Sequence, residues 1–122
     1  MNAKLAIDSL EGWQALPEVL FPALKSGTEK GSIFSVHKVG FLAVPEEQCQ
    51  LAGIKADAGP AGKCLLPTAV VEFAGTPKLC RLPLSLSPWA FDCVAMAHSK
   101  TLSFPASVEF GFFNGRNYAE FV

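Results

Sequence analysis

Charge is what this chain has least of. Acidic and basic side chains make up 17% of its 122 residues, well under the quarter usual in globular proteins, and they nearly cancel, ten positive against eleven negative. A balance of −1 excludes a general attraction for nucleic acid or for an anionic membrane, so any such binding has to rest on a local patch and on stacking. Long apolar runs are missing too. No stretch approaches the ~20 consecutive apolar residues of a membrane-spanning helix, and no apolar run at the start resembles a signal peptide. Closely spaced cysteines are absent: Cys49, Cys64, Cys80 and Cys93 form no CxxC pair. They read as reduced, buried thiols of a cytoplasmic protein. A zinc site would require the fold to gather these thiols with His37 and His98, which lie far apart in sequence. No cofactor is expected. Gly62-Lys63 ends a run of small residues, but Asp57 stands where a phosphate loop needs its first glycine, and Cys64 where it needs serine or threonine. No catalytic motif is present, and the chain reads as non-enzymatic.

What the chain has in abundance is apolar residues, 50% of the total. A single domain of this length has difficulty covering that much apolar surface, so residues 1–122 are expected to form one domain that self-associates or docks on a protein partner.

The clearest local signal lies at the end, where two runs rich in aromatic and β-branched residues flank Asn114-Gly115. Asn-Gly favours a two-residue type I′ hairpin because both central positions need a positive φ. That turn sets Phe113 opposite Arg116, Gly111 opposite Tyr118, Glu109 opposite Glu120 and Val108 opposite Phe121. One face then carries Val108, Phe110, Phe112, Ala119 and Phe121 as core. The other carries Glu109, Gly111, Phe113, Arg116, Tyr118 and Glu120 toward water. Directly opposed Glu109 and Glu120 disfavour the hairpin and repel phosphate.

Residues 1–31 read as a helical leader and linker, with Pro17 opening a helix that carries Val19, Leu20, Phe21 and Leu24. The leader serves either as a dimerisation arm or as a packing segment. A long extended run from Ile33 to Val44 contains Gly40, the expected bulge or bend. Glu46 to Ile54 suits a short helix. Thr68–Phe73 and Lys78–Leu82 suit a hairpin joined through Ala74-Gly-Thr-Pro77. Ser87 to His98, with Pro88 at the first helical position, opens as a helix; parity alone also permits a strand. Its body is apolar almost all round, so it should be buried. Thr101 to Phe104 can extend the incoming strand of the last hairpin.

A long bent strand, a hairpin, a helix after the third strand and a closing hairpin resemble the OB-fold, a five-stranded, partly open barrel. Ala106–Val122 is similar to the last two strands of bacterial single-stranded-DNA-binding proteins, and Phe34–Gly40 to the first strand of OB-type binding proteins of conjugative elements. The fold expected is therefore mainly β, with residues 32–122 forming the barrel; a small α+β sheet is the alternative. The resemblance implies binding of single-stranded nucleic acid, for a mobile element or phage, through His37, Lys38, Arg81, Phe113, Arg116 and Tyr118. Positive residues are sparser here than in those proteins. Tyr118 also has a purely structural reading, as an aromatic cover over Gly111, with Phe113 buried under the leader. A protein-interaction or inhibitory module docking through an apolar surface is the functional alternative.

Overall fold

The computed structural model describes residues 16, 17, 19, 21, 23–25, 30–54 and 62–122. Trp13, Leu20 and the glycine-rich loop before Gly62 lie outside them. Five antiparallel strands form one sheet: β1 (Ser32–Pro45), β2 (Lys63–Phe73), β3 (Thr76–Arg81), β4 (Ala106–Phe113) and β5 (Arg116–Phe121). Two helices accompany them among the described residues, α1 (Glu46–Leu51) after β1 and α2 (Ser87–His98) after β3. The strand order is β3-β2-β1-β4-β5, so β3 and β5 are the two edges and the sheet is not closed. The protein is mainly β, as expected, and no helix among the described residues is long and apolar enough to cross a membrane.

β1 joins the two halves of the sheet. Its first residues, Ser32 to Val36, pair with β4, and Val36 to Pro45 pair with β2. The ladder with β2 is interrupted between Val36 and Lys38, which leaves His37 as an extra residue. This corrects the position of the bend: Gly40 pairs regularly with Thr68 and is not the bulge. The extra residue switches which residues of β1 face inward. Phe34 and Val36 point to the main core before it, and Val39 and Phe41 after it. Leu42 and Val44, of the other parity, turn to the opposite face and pack with Cys49, Cys64 and Leu66 in a second, smaller core that includes α1.

The main core centres on Phe110, fully buried and surrounded by Phe21, Phe34 and Trp89 at ring-centroid distances of 5.5, 6.2 and 5.9 Å. Truncating a buried ring of this kind costs about 3–5 kcal/mol. None of the four cysteines is in a disulfide and all are buried, Cys80 and Cys93 in the main core and Cys49 and Cys64 in the second. Burial pushes three of the thiols up, Cys49 and Cys80 from 9.0 to about 11 and Cys93 to about 12.

Four further expectations need correction. The described residues from Leu16 to Lys25 are not helical. Arg81 N–H donates to the Pro17 carbonyl at 2.9 Å, Val19 is buried, and Ala23 bridges Phe112 in parallel. Pro17 fixes its own φ without committing its successors to a helix, and the described residues of this segment bond the sheet instead. The second hairpin is longer than expected. β2 starts at Lys63, and its turn is the two residues Ala74 and Gly75, both at positive φ. Pro77 lies inside β3, where an edge strand tolerates a missing N–H. Third, α2 forms over the expected residues but buries only Ala90 and Cys93, while Phe91 and Val94 are 53% and 40% exposed. A single sheet touches one side of the helix, so an apolar periphery does not guarantee burial. Thr101 to Phe104 add no strand; β4 begins at Ala106.

Candidate nucleic-acid interface

The last hairpin forms in the expected register, from Phe113 opposite Arg116 to Val108 opposite Phe121, with Asn114 and Gly115 at φ 54° and 79°. Its two faces differ from expectation in how wet they are. Val108 and Phe110 are buried, but Phe112 and Phe121 on the same side are more than a third exposed. The reason is reach: β1 pairs with β4 only as far as Phe110, so Phe112 lies beyond the core.

The opposite face holds a carboxylate that the sequence presents only as a repulsive partner of Glu120. Glu109 is buried, and its Oε2 accepts the N–H of Gly31 at 3.1 Å and the hydroxyl of Tyr118. The Tyr118 hydroxyl first, and then the Gly31 N–H, hold its carboxyl below the usual carboxylate range. Burial, and then the bond to the Glu109 carboxylate, push the Tyr118 phenol from 10.0 up to about 12. The tyrosine ring lies on Gly111 so closely that a Cβ there would come within 2.5 Å of Tyr118 Cε2. Gly31 is equally confined, since its Cβ would meet the Phe110 carbonyl oxygen at 2.1 Å. Tyr118 is thus an aromatic cover over Gly111, and it stays half-exposed. Two signals in the sequence point to this arrangement. Glu120 directly opposite forces Glu109 to find donors, and the tyrosine, diagonal to it across the strands, is within reach.

His37, the extra residue of β1, places Nε2 3.1 Å from Glu72 Oε1. Lys38 beside it is exposed, as is Arg116. Arg81 pairs with Thr68 at the end of β3, and its Nε is buried.

Strand parity assigns His37, Lys38, Arg81, Phe113, Arg116 and Tyr118 to the same outer face of the sheet, opposite the main core. They do not form one patch. Gly111 and Tyr118 lie one step past the Ser32–Phe110 pair, about six residues along β1 from His37, or roughly 20 Å. Arg81 lies two strands from β1 at the level of Gly40, roughly 10 Å sideways from it. The face therefore has three loci: the hairpin with two rings and Arg116, the bulge with His37, Lys38 and the opposing Glu72, and Arg81 at the far edge. Spread along one face, they suit an extended ligand better than a compact one. Among the described residues no cluster of His, Cys, Asp and Glu gathers to hold a metal.

A scan against protein-family models, a search of curated proteins and a search of solved structures each find no match to this chain.

Proposed function

We propose that this chain is a non-enzymatic, OB-like domain that binds single-stranded nucleic acid, working in the cytoplasm on behalf of a mobile element or phage. The observation that carries the reading is the shared outer face: the bent β1 links His37 and Lys38 at the bulge to the hairpin that carries Phe113, Arg116 and Tyr118. A single strand needs just such a track of separated cations and rings, because bases stack on aromatic faces for about 1–3 kcal/mol each while a few positive charges follow the phosphates. Strand order supports it as well, with a first strand shared by both halves of the sheet and a helix between the third and fourth strands. Tyr118 contributes through the ring face turned away from Gly111, and its bond to Glu109 holds the ring in place.

A variant series on oligo-dT tests the proposal. Phe113→Ala should weaken binding by about 1–3 kcal/mol with little change in secondary structure. Arg116→Ala should also make the dependence on log salt shallower, by about one phosphate contact. Tyr118→Phe keeps the ring and should keep most of the affinity. Equal binding by all the variants would remove this face as the site.

One observation favours a second reading, a protein-interaction module. Phe91 lies tilted against Phe41 at a ring-centroid distance of 4.3 Å yet is 53% exposed, and Val94 and Leu65 are exposed as well. Such a surface would bind a protein partner or a second copy with little sensitivity to salt.

A further inference from the structure

Among the described strands β5 is an edge of the sheet, and the direction of its backbone groups follows from one bond. Val122 N–H donates to the Ser107 carbonyl at 3.1 Å, so the backbone groups of Arg116, Tyr118 and Glu120, of the same parity, also turn toward β4. Those of Asn117, Ala119 and Phe121 turn to the outer side of the edge. The opposite edge is blunted: Pro77 of β3 has no N–H, and Arg81 N–H is taken by the Pro17 carbonyl. β5 contains no proline. We infer that β5 pairs antiparallel with β5 of a second copy of this chain about a two-fold axis at Tyr118, which joins the two sheets into one.

The charges select both the partner and the register. Arg116 and Glu120 are exposed, and they stand on the outer face two positions to either side of Tyr118. Four residues apart on one strand, they lie roughly 13 Å from each other and cannot meet within the chain. Two-fold pairing about Tyr118 sets each Arg116 directly opposite the Glu120 of the second copy. Both are pairs of the non-hydrogen-bonded kind, in which facing side chains come closest. Asn117 then faces Ala119 of the second copy, and the two exchange both N–H···O bonds on each side of the axis. No other symmetric register does this. Centring on Asn117 or Ala119 leaves neither charge opposite the other, and centring on Arg116 or Glu120 sets like charges together.

Glu120 gains most from the second copy, because its direct neighbour within the chain is another carboxylate, Glu109. Asn117 spends its side chain on Ser85 Oγ at 2.9 Å, on the side of the sheet where Ala119 meets the core, and keeps its backbone groups for the edge. The inference stands apart from nucleic-acid binding, and its test needs no nucleic acid.

Sedimentation and amide exchange on the full chain, over roughly 1–500 μM because six residues a side make a small interface, test it. Arg116→Glu and Glu120→Arg, each alone, turn both ion pairs into like-charge pairs and should weaken association by about tenfold or more. An equimolar mixture of the two variants should associate about as well as the wild type, since every carboxylate then faces a guanidinium. In the wild type the amides of Asn117 and Ala119 should gain protection as concentration rises, while that of Tyr118, already turned to β4, should not. A mixture that associates no better than either variant overturns the inference. So does exchange at Asn117 and Ala119 that stays fast at every concentration, or that is already slow in dilute protein, where the chain would be covering its own edge. The wild-type exchange decides the matter even if a variant fails to fold.

Discussion

Tyr118 is the one tyrosine in the chain, which makes its environment directly measurable. Its phenol, pushed up to about 12 by burial and by the Glu109 carboxylate, should show phenolate ultraviolet absorbance rising near that pH in the folded protein and near its ordinary 10.0 in denaturant. A folded-state midpoint near 10.0 would mean that the ring and hydroxyl are free. A raised acid pKa stabilises the fold below the unfolded value and ceases to do so as pH rises through the folded one. Tyr118 and the buried thiols of Cys49, Cys80 and Cys93 share that sign, so denaturation midpoints should decline from about pH 9 toward 12. Glu109 has the opposite sign. Its lowered carboxyl stabilises the fold above the ordinary glutamate range, and that contribution is lost as pH falls through the lowered value. Glu109→Gln should flatten the acid limb of the stability profile; an unchanged limb would assign it to other carboxylates. The two confined glycines should respond unequally. Gly31→Ala drives a methyl into the backbone carbonyl of Phe110, whereas Gly111→Ala meets a side chain that can tilt. Both should destabilise, by about 1–3 kcal/mol, Gly31→Ala the more, as denaturant midpoints would show.

At the scale of elements, the last hairpin and the bend in β1 separate what the sequence reveals from what it conceals. Asn114-Gly115 fixes a two-residue loop, and every pair of the last hairpin comes from counting outward from it, so its register is legible in the residues alone. Gly115→Val places a β-branched residue at φ 79° and should lower stability by more than about 1 kcal/mol; an unchanged midpoint would put the turn elsewhere. The bulge in β1 needs no special residue. His37 occupies it with ordinary chemistry, and Gly40 distracts from it. Gly40→Ala should therefore change stability by less than about 0.5 kcal/mol, since a Cβ there meets nothing within 4 Å. A large loss would return the bend to Gly40. Helix α2 is legible from Ser87-Pro88, but its exposed face is not, because composition records how apolar a helix is and not how many neighbours surround it. Of the candidate site, parity within the two hairpins yields the outward face of Arg81, Phe113, Arg116 and Tyr118, whereas Lys38 shares the parity of Phe34 and Val36 and reaches that face only through the bulge. Their separation depends on pairings between distant strands that no local pattern encodes, as does the Gly31 N–H that helps hold the carboxylate beneath Tyr118.

For the whole molecule, the apolar excess seen in composition emerges as specific exposed groups: Phe91 and Val94 on α2, Leu65 on β2, Ile33 on β1, and Phe112 and Phe121 near the hairpin. We expect self-association from them. Sedimentation at tens of micromolar should show a species heavier than the 13.0 kDa chain, and a clean monomer would end that expectation. The outer face of β1, β4 and β5 carries His37 and Lys38 at the bulge and Phe113, Arg116 and Tyr118 on the hairpin as two separate loci, and the proposed function rests on their sharing that face. The most direct measurement is fluorescence anisotropy of labelled oligo-dT with the wild-type protein across a salt series. Binding at ~50 mM salt that weakens linearly in log affinity against log salt, with a shallow slope of about two to three phosphate contacts matching Lys38, Arg116 and their neighbours, is the predicted result. No binding at ~50 mM salt would contradict it.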